Sequence, residues 1–364
     1  MKGLDKPTLG ICVGRKENKK RKAFLLMVRR RLVEYKNNHF KDVIVFTMDK
    51  LSLSNFTVTG ERFHWSNEEI MKETGTYPLP DVVYIQSEFH FDELQALEKV
   101  LPGKVFNNHF YTKYECIEIL SKNNYLRPHI PETSLLGNLD DLHTYTKKFN
   151  QFYLKPVKGH SGEGIYYIEL LGNGNVNCVG KREKFIFDNC SNLVEWFQQY
   201  FQPNIYMVQE AITTKKWKED KSTDIRLNMN KNGNGVWEVS FLVGRIAMNK
   251  VFVAAGAGNN VLIYIDHLLK QLFSDKSHEI IKKSIIDLGY SICKTFDKTK
   301  YNMGDLGIDL GMDNQGKLWI FEVNHLPHPF HKLNDKSLTL PFEYAYFLTQ
   351  KKGNFKEILK NLVK

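Results

Sequence analysis

From Gly304 to Asn324 the chain reads GDLGIDLGMDNQGKLWIFEVN. Two runs of period two flank the turn residues Asp313-Asn-Gln-Gly316, and such a pattern demands an antiparallel hairpin built into a larger sheet. Side chains alternate along a strand, so Glu322 and Asn324 share a face about 6–7 Å apart. If Asp313 pairs with Gly316, Asp309 stands opposite Ile320 and diagonal to Glu322, at roughly 7–8 Å between Cα atoms. Trp319, Phe321 and Val323 are then expected on the other face. Two carboxylates and an amide carbonyl, without histidine or thiolate, suit Mg2+ that also binds substrate phosphates. Ile308, Leu310, Leu318 and Ile320 make the surroundings apolar, where a carboxylate needs a partner. A hairpin with a solvated polar face is the plain alternative.

The rest of the chain sorts around that hairpin. Thr8 to Val13, Arg21 to Tyr35 and Val43 to Thr47 form a βαβ signature, and Asp81 to Ile85, a helix at Glu93 to Val100, and Lys104 to Phe106 extend it. Residues 1–108 thus read as an α/β domain. Helices are expected at His109 to Leu120 and Leu142 to Phe149, with strands at Phe152 to Lys155 and Gly164 to Ile168, in a lobe covering 109–204. A second lobe, 205–364, holds strands at Ile205 to Glu210, Asp224 to Asn230, Val236 to Val243 and Val251 to Ala255, with a Gly233-Asn-Gly235 hairpin turn. The fold class is therefore α/β of the α+β kind, with 364 residues enough for two or more cores.

Three further segments carry chemistry. The loop after Lys155 holds Gly159, His160, Ser161, Gly162 and Gly164, which let backbone N–H groups approach phosphate oxygens, or serve a structural turn. Its G-x-x-G-x-G spacing, followed by a strand, fits neither a Rossmann fingerprint nor a Walker A loop. Asp224-Ile-Arg226 sets an acid and a base on one strand face, where Arg226 either stabilises a phosphoryl group or forms an internal ion pair. Gln209 and Glu210 end an apolar strand whose backbone either meets a purine edge or is plain core. His325, His328 and His331 read as a loop beside the site. The five cysteines are dispersed and odd in number, which points to reduced, mostly buried thiols.

Taken in order, Lys113, the LKPVKGHSGEGI stretch, DIRLNMNKNGNGVWEV and the Asp309…Glu322-x-Asn324 hairpin resemble the ATP-grasp superfamily. They are most similar to its YheC/YheD group, the endospore coat-associated proteins of bacilli. The resemblance runs through residues 108 to 325. It implies an N-terminal domain followed by two lobes that grip ATP between antiparallel sheets. Carried over, Lys113 and Lys155 contact phosphates, the glycine loop closes over them, and Gln209, Glu210, Ala211 and Ile212 line the adenine pocket. Asp309, Glu322 and Asn324 hold Mg2+, while Arg226 and Arg245 face an acyl phosphate. The implied activity is ADP-forming ligation of a carboxylate, from an amino acid or peptide, to an amine. A small-molecule kinase on this fold, or a spore-coat nucleotide-binding or structural protein, are the alternatives. The chain departs from its relatives at Val253 to Asn260, where Asn259 or Asn260 would substitute for an expected asparagine, and after Asn324.

The net charge is +10, which favours acidic partners. No RNA- or DNA-binding pattern appears, so specific nucleic-acid binding is not expected. No apolar run reaches ~18 residues and no signal-peptide core is present, so a cytoplasmic location is expected, and the resemblance adds a spore association. The basic cluster from Arg15 to Lys22 is either a solvated helix start or contact for an acidic partner.

Overall fold

A computed structural model describes residues 6–16, 21–35, 39–66, 69–87, 91–159, 162–218, 221–247, 260–273, 275–327, 329 and 335–351. The N-terminal unit contains β1 (Thr8–Cys12), α1 (Arg21–Glu34), β2 (Asp42–Phe46), β3 (Leu51–Ser52), β4 (Thr57–Ser66), β5 (Glu69–Pro78), β6 (Val82–Ile85), α2 (Phe91–Val100) and β7 (Val105–Phe106). Its sheet runs β3-β4-β2-β1-β6-β7, with β5 on β4. The β1, β2, β6 and β7 pairings are parallel, as the βαβ pattern requires. The β4–β5 ribbon is the part that hydropathy did not reveal. Most of β5 is exposed or half-buried, so its polar sequence carries no buried face to read.

The central unit contains α3 (Lys113–Ser121), β8 (Thr133–Leu135), α4 (Asp141–Lys148), β9 (Gln151–Pro156), β10 (Tyr166–Leu170), β11 (Val176–Val179), β12 (Lys184–Phe187), α5 (Cys190–Phe197) and β13 (Tyr206–Glu210). Helix α3 starts later than His109 because Thr112 caps it. The Thr112 hydroxyl accepts from the Glu115 N–H at 3.1 Å, and the Glu115 carboxylate accepts from the Thr112 N–H at 2.6 Å. The six strands form one antiparallel sheet, β12-β11-β10-β9-β13-β8.

The C-terminal unit contains β14 (Thr223–Lys231), β15 (Trp237–Ala247), β16 (Asn260–Tyr264), α6 (Ile265–Leu272), α7 (Asp275–Asp297), β17 (Asp305–Met312), β18 (Leu318–Asn324) and α8 (Leu340–Gln350). Its antiparallel sheet is ordered β16-β15-β14-β17-β18. Helices α6 and α7 cover one face, burying Leu268, Ile285 and Leu288 against Leu227, Met229 and Ile308.

Three assignments move relative to the sequence boundaries. Strand β13 pairs with β8 and β9, so residues 206–210 belong to the central sheet rather than the last lobe. Helix α3 lies on the near side of that boundary in sequence, yet Cys116 and Leu120 pack into the C-terminal core. Phe342, Tyr344 and Leu348 of α8 return to the N-terminal core beside Leu9, Tyr84 and Phe106. Amphipathic periodicity shows that a helix has a buried face but not which sheet receives it. The expected strand at Val251 to Ala255, and Asn259, lie outside the described residues.

Candidate active site

The β17–β18 hairpin turns one residue later than expected. The Asp313 N–H donates to the Lys317 carbonyl, and Gly316 takes φ +84° inside the turn. The ladder then pairs Leu310 with Ile320, skips a residue, and pairs Asp309 directly with Glu322. The longer turn and the bulge each shift the register by one. Together they bring the carboxylates across from each other instead of diagonal. The bulge also corrects the facing of the aromatic residues. Val323 enters the core with Leu318 and Ile320, whereas Trp319 pairs with Gly311. The Phe321 ring lies where a Cβ on Gly311 would be, 2.0 Å from its Cζ.

Behind the hairpin, Arg226 on β14 and Arg245 on β15 converge on Asp309. Arg226 Nη1 and Arg245 Nη2 each donate to Asp309 Oδ1 at 2.9 Å. Arg245 also grips Asp224 through Nε and Nη2, both at 2.6 Å, and Arg226 Nε donates to Asn228 Oδ1 at 2.7 Å. All four charged residues are buried. Burial opposes the ionisation of Asp309, but Arg245 and Arg226 outweigh it and hold its carboxyl below the usual range. Arg226 thus forms an internal ion pair across strands, with Asp309, while its strand neighbour Asp224 pairs with Arg245. Neighbouring strands bring residues closer than positions i and i+2 on one strand. Asn324 Nδ2 donates to Asp309 Oδ2 at 3.1 Å, which turns its amide oxygen away from that carboxylate.

The central lobe closes on this cluster through two lysines. Lys113, the first residue of α3, places Nζ 3.0 Å from Glu322 Oε1 and donates to the Gly159 carbonyl at 2.6 Å. One ammonium therefore ties the glycine loop to the hairpin. Lys155 on β9 donates to Gln209 Oε1 at 2.5 Å, and Gln209 Nε2 donates to Thr133 Oγ1 at 2.9 Å. Burial lowers the Lys155 ammonium to about 8, with Glu322 pulling it up and Lys113 pushing it further down. Gly159, Gly162 and Gly164 all take positive φ, at +126°, +75° and +69°, a backbone that side chains other than glycine adopt at a cost. His160 and Ser161 lie outside the described residues, as do His328 and His331.

A family model described as YheC/D like ATP-grasp matches residues 103–348. The chain belongs to the YheC/D-like ATP-grasp family. Its relatives include the Endospore coat-associated protein YheD of Bacillus subtilis (strain 168), 25% identical over 296 residues. That alignment covers 75% of this chain and 64% of YheD, so the chain spans less than two thirds of YheD's length. The Endospore coat-associated protein YheC of the same strain is 23% identical over 296 residues, covering 78% of this chain and 80% of YheC. Among solved structures, VanG D-Ala:D-Ser ligase from Enterococcus faecalis superposes with a TM-score of 0.55 at 13% identity, covering 95% of this chain and 98% of that one. Together with the family model, that likeness supports an ATP-grasp fold.

Within this ATP-grasp chain, the Lys113–Glu322 pair and the group of Arg226, Arg245 and Asn324 around Asp309 lie side by side, because Asp309 pairs with Glu322 in the ladder, and Lys155 and Gln209 lie beside them. The strand end is less open than expected. The Glu210 and Ala211 N–H groups donate to the carbonyls of Glu132 and Gln151 at 2.9 and 3.2 Å. Those two donors are therefore committed inside the sheet, and Ile212 is the first residue beyond them. Among the described residues no group of three or more His, Cys, Asp and Glu side chains could hold a metal ion; Asp309, Glu322 and Asn324 offer two carboxylates and an amide. The cysteines are free, and all but the half-buried Cys190 are buried.

Asp224, read in the sequence as an acid on the strand of Arg226, is the carboxylate that orients Arg245, and one contributor, Gly307, went unread. Gly307 makes room for Arg226, since a Cβ there would stand 2.2 Å from Nη2. An isolated glycine inside a strand pattern, Leu306-Gly-Ile308, was the available signal for such a close approach.

Proposed function

We propose that this chain is an ATP-dependent carboxylate–amine ligase, forming ADP through an acyl phosphate, with an amino acid or peptide among its substrates. The observation that carries the reading is the convergence of Lys113 and the two buried arginines on the Asp309–Glu322–Asn324 hairpin. Such an array is built to balance phosphate charge by position and electrostatics, which is what phosphoryl transfer needs from a protein. No side-chain nucleophile is required.

The donor set also fits Mg2+. Asp309, Glu322 and Asn324 provide hard oxygen donors, and Glu322 is balanced by an ammonium that phosphate oxygens can replace it on. Those three residues would hold the ion, and bound Mg2+ would neutralise charge on the phosphate oxygens. Lys113 and Lys155 then bind phosphates, and the glycine loop shields them from water. Arg226 and Arg245 hold the transferred phosphoryl group in line with the acceptor carboxylate. Gln209 keeps Lys155 oriented, and the chain from Gln209 to Ile212 borders the base. We also assign a cytoplasmic location and a spore association, the second supported by the names of the endospore coat-associated relatives. No helix among the described residues is long and apolar enough to cross a membrane.

Screening ADP release with pooled amino acids and peptides, with products identified by mass spectrometry, tests the ligase reading. A new amide with ADP and phosphate supports it. A phosphorylated product without an amide indicates a kinase, and AMP with pyrophosphate removes the acyl-phosphate route.

Lys155 gives the site a pH signature. Its folded value of about 8 lies below the ordinary 10.5, so the unfolded chain holds the proton over that window and the folded chain does not. The Lys155 contribution to folding stability therefore rises with pH between the two values. Nucleotide affinity moves the opposite way, because the phosphate-binding form is the ammonium. Calorimetric titration is expected to show ATP binding weaken up to about thirtyfold from about pH 7 to about pH 9.5, and Lys155→Gln is expected to flatten that profile.

A further inference from the structure

We infer that Asn107, at the junction of the N-terminal domain and the C-terminal lobe, is a positioning residue for the Asp309–Glu322–Asn324 hairpin. This rests on the metal-nucleotide reading of that hairpin. Asn107 follows β7, is fully buried, and takes φ +54°, in the left-handed region. Its side chain uses all of its hydrogen-bonding capacity. Oδ1 accepts from the N–H groups of Gly304 and Asp305 at 2.8 and 2.9 Å. Nδ2 donates to the carbonyls of Asp305 and His325, both at 2.9 Å. Its own N–H donates to the Asn302 carbonyl at 2.7 Å.

The location gives these bonds their consequence. One end of the β17–β18 hairpin is closed by the Asp313 turn, and at the other end direct pairing stops at Gly307 with Asn324. His325 lies one residue past that stop, directly after β18, and Asp305 two residues past it on β17. A single carboxamide bonds to both and so closes the open end of the hairpin. His325 is bonded to the candidate ligand Asn324, and Asp305 lies four residues before Asp309 on the same strand. With the clamp released, the β18 end is free to leave β17, which stays paired with β14 as far as Asp305, and this separates Asn324 from Asp309 without touching either side chain. Groups that orient ligands from behind typically change metal affinity by ~10–100-fold when removed.

The two halves of the clamp can be separated. Asn107→Asp keeps an oxygen for the Gly304 and Asp305 N–H groups but sets a carboxylate against two carbonyls. Asn107→Gly keeps the left-handed backbone and removes every side-chain bond. Tyr84→Phe removes a different junction bond, from the Tyr84 hydroxyl to the Asp305 carboxylate, and leaves the clamp intact. The readout is thermal stabilisation by an unhydrolysable ATP analogue across a Mg2+ titration. Both Asn107 variants are expected to need about tenfold more Mg2+ for half of the full effect, while Tyr84→Phe melts earlier with its Mg2+ midpoint unchanged. An Asn107→Asp midpoint within twofold of the wild type overturns the inference even if its melting temperature falls. Should Asn107→Gly fail to fold, Asn107→Asp decides alone, and should both fail, an unchanged dependence of Asn324 amide exchange on Mg2+ in Asn107→Ser overturns it. A wild-type chain that shows no Mg2+-dependent stabilisation overturns the nucleotide reading itself, and this inference with it.

Discussion

Asp309→Asn is expected to lower the unfolding free energy by about 3–5 kcal/mol, the usual penalty for breaking a buried ion cluster on one side. Two guanidinium groups and two carboxylates are buried together and balance in charge. Asparagine at 309 still offers an oxygen to both arginines, so the hydrogen-bond count barely changes. The charge balance does change, leaving Arg226 and Arg245 with Asp224 alone in a largely buried site. The new Nδ2 also faces the Asn324 amide nitrogen, donor to donor. Urea unfolding of the purified variant measures the loss. A variant within about 0.5 kcal/mol of the wild type shows that the cluster is not held by charge, since surface-like substitutions fall in that range.

Glu322→Gln is expected to do the reverse, sparing stability and removing turnover. The Glu322 side chain is 30% exposed and its partner Lys113 is 16% exposed, so the pair contributes no more than about 1 kcal/mol after screening by solvent. As a candidate ligand beside the phosphates, however, Glu322 cannot be replaced by a neutral amide without losing charge where the reaction develops it. A drop of at least ~100-fold in ADP formation is expected, with melting within a few degrees of the wild type. A coat protein with only a structural use for nucleotide would keep its function in that variant. Retention of full turnover would remove Glu322 from the metal set.

The contrast between these neighbours, paired across one ladder, depends on what lies behind each. Asp309 backs onto two arginines from β14 and β15, and Glu322 faces the cleft beneath α3. Alternation alone gives both residues the same face and says nothing about that difference.

Much of the site was legible because its parts are local. Period-two alternation, the Asp313 turn and the order of Lys113, Lys155, Arg226 and the hairpin are properties of short stretches, and they carried the family resemblance. The α/β character of the first domain followed from its βαβ pattern for the same reason. What the sequence did not show depends on contacts across long separations or on single-residue shifts. The bulge at Phe321, which sets Asp309 against Glu322, changes no residue type in the pattern. The return of α8 to the N-terminal core, the pairing of Asp224 with Arg245, and the Asn107 clamp each join segments far apart in the chain. By itself, then, the sequence determined which hard oxygens and which cations this protein has and which of them lie on strands. Only the tertiary structure decided which cation meets which carboxylate, because charge pairing is settled by the register between strands rather than by order along one.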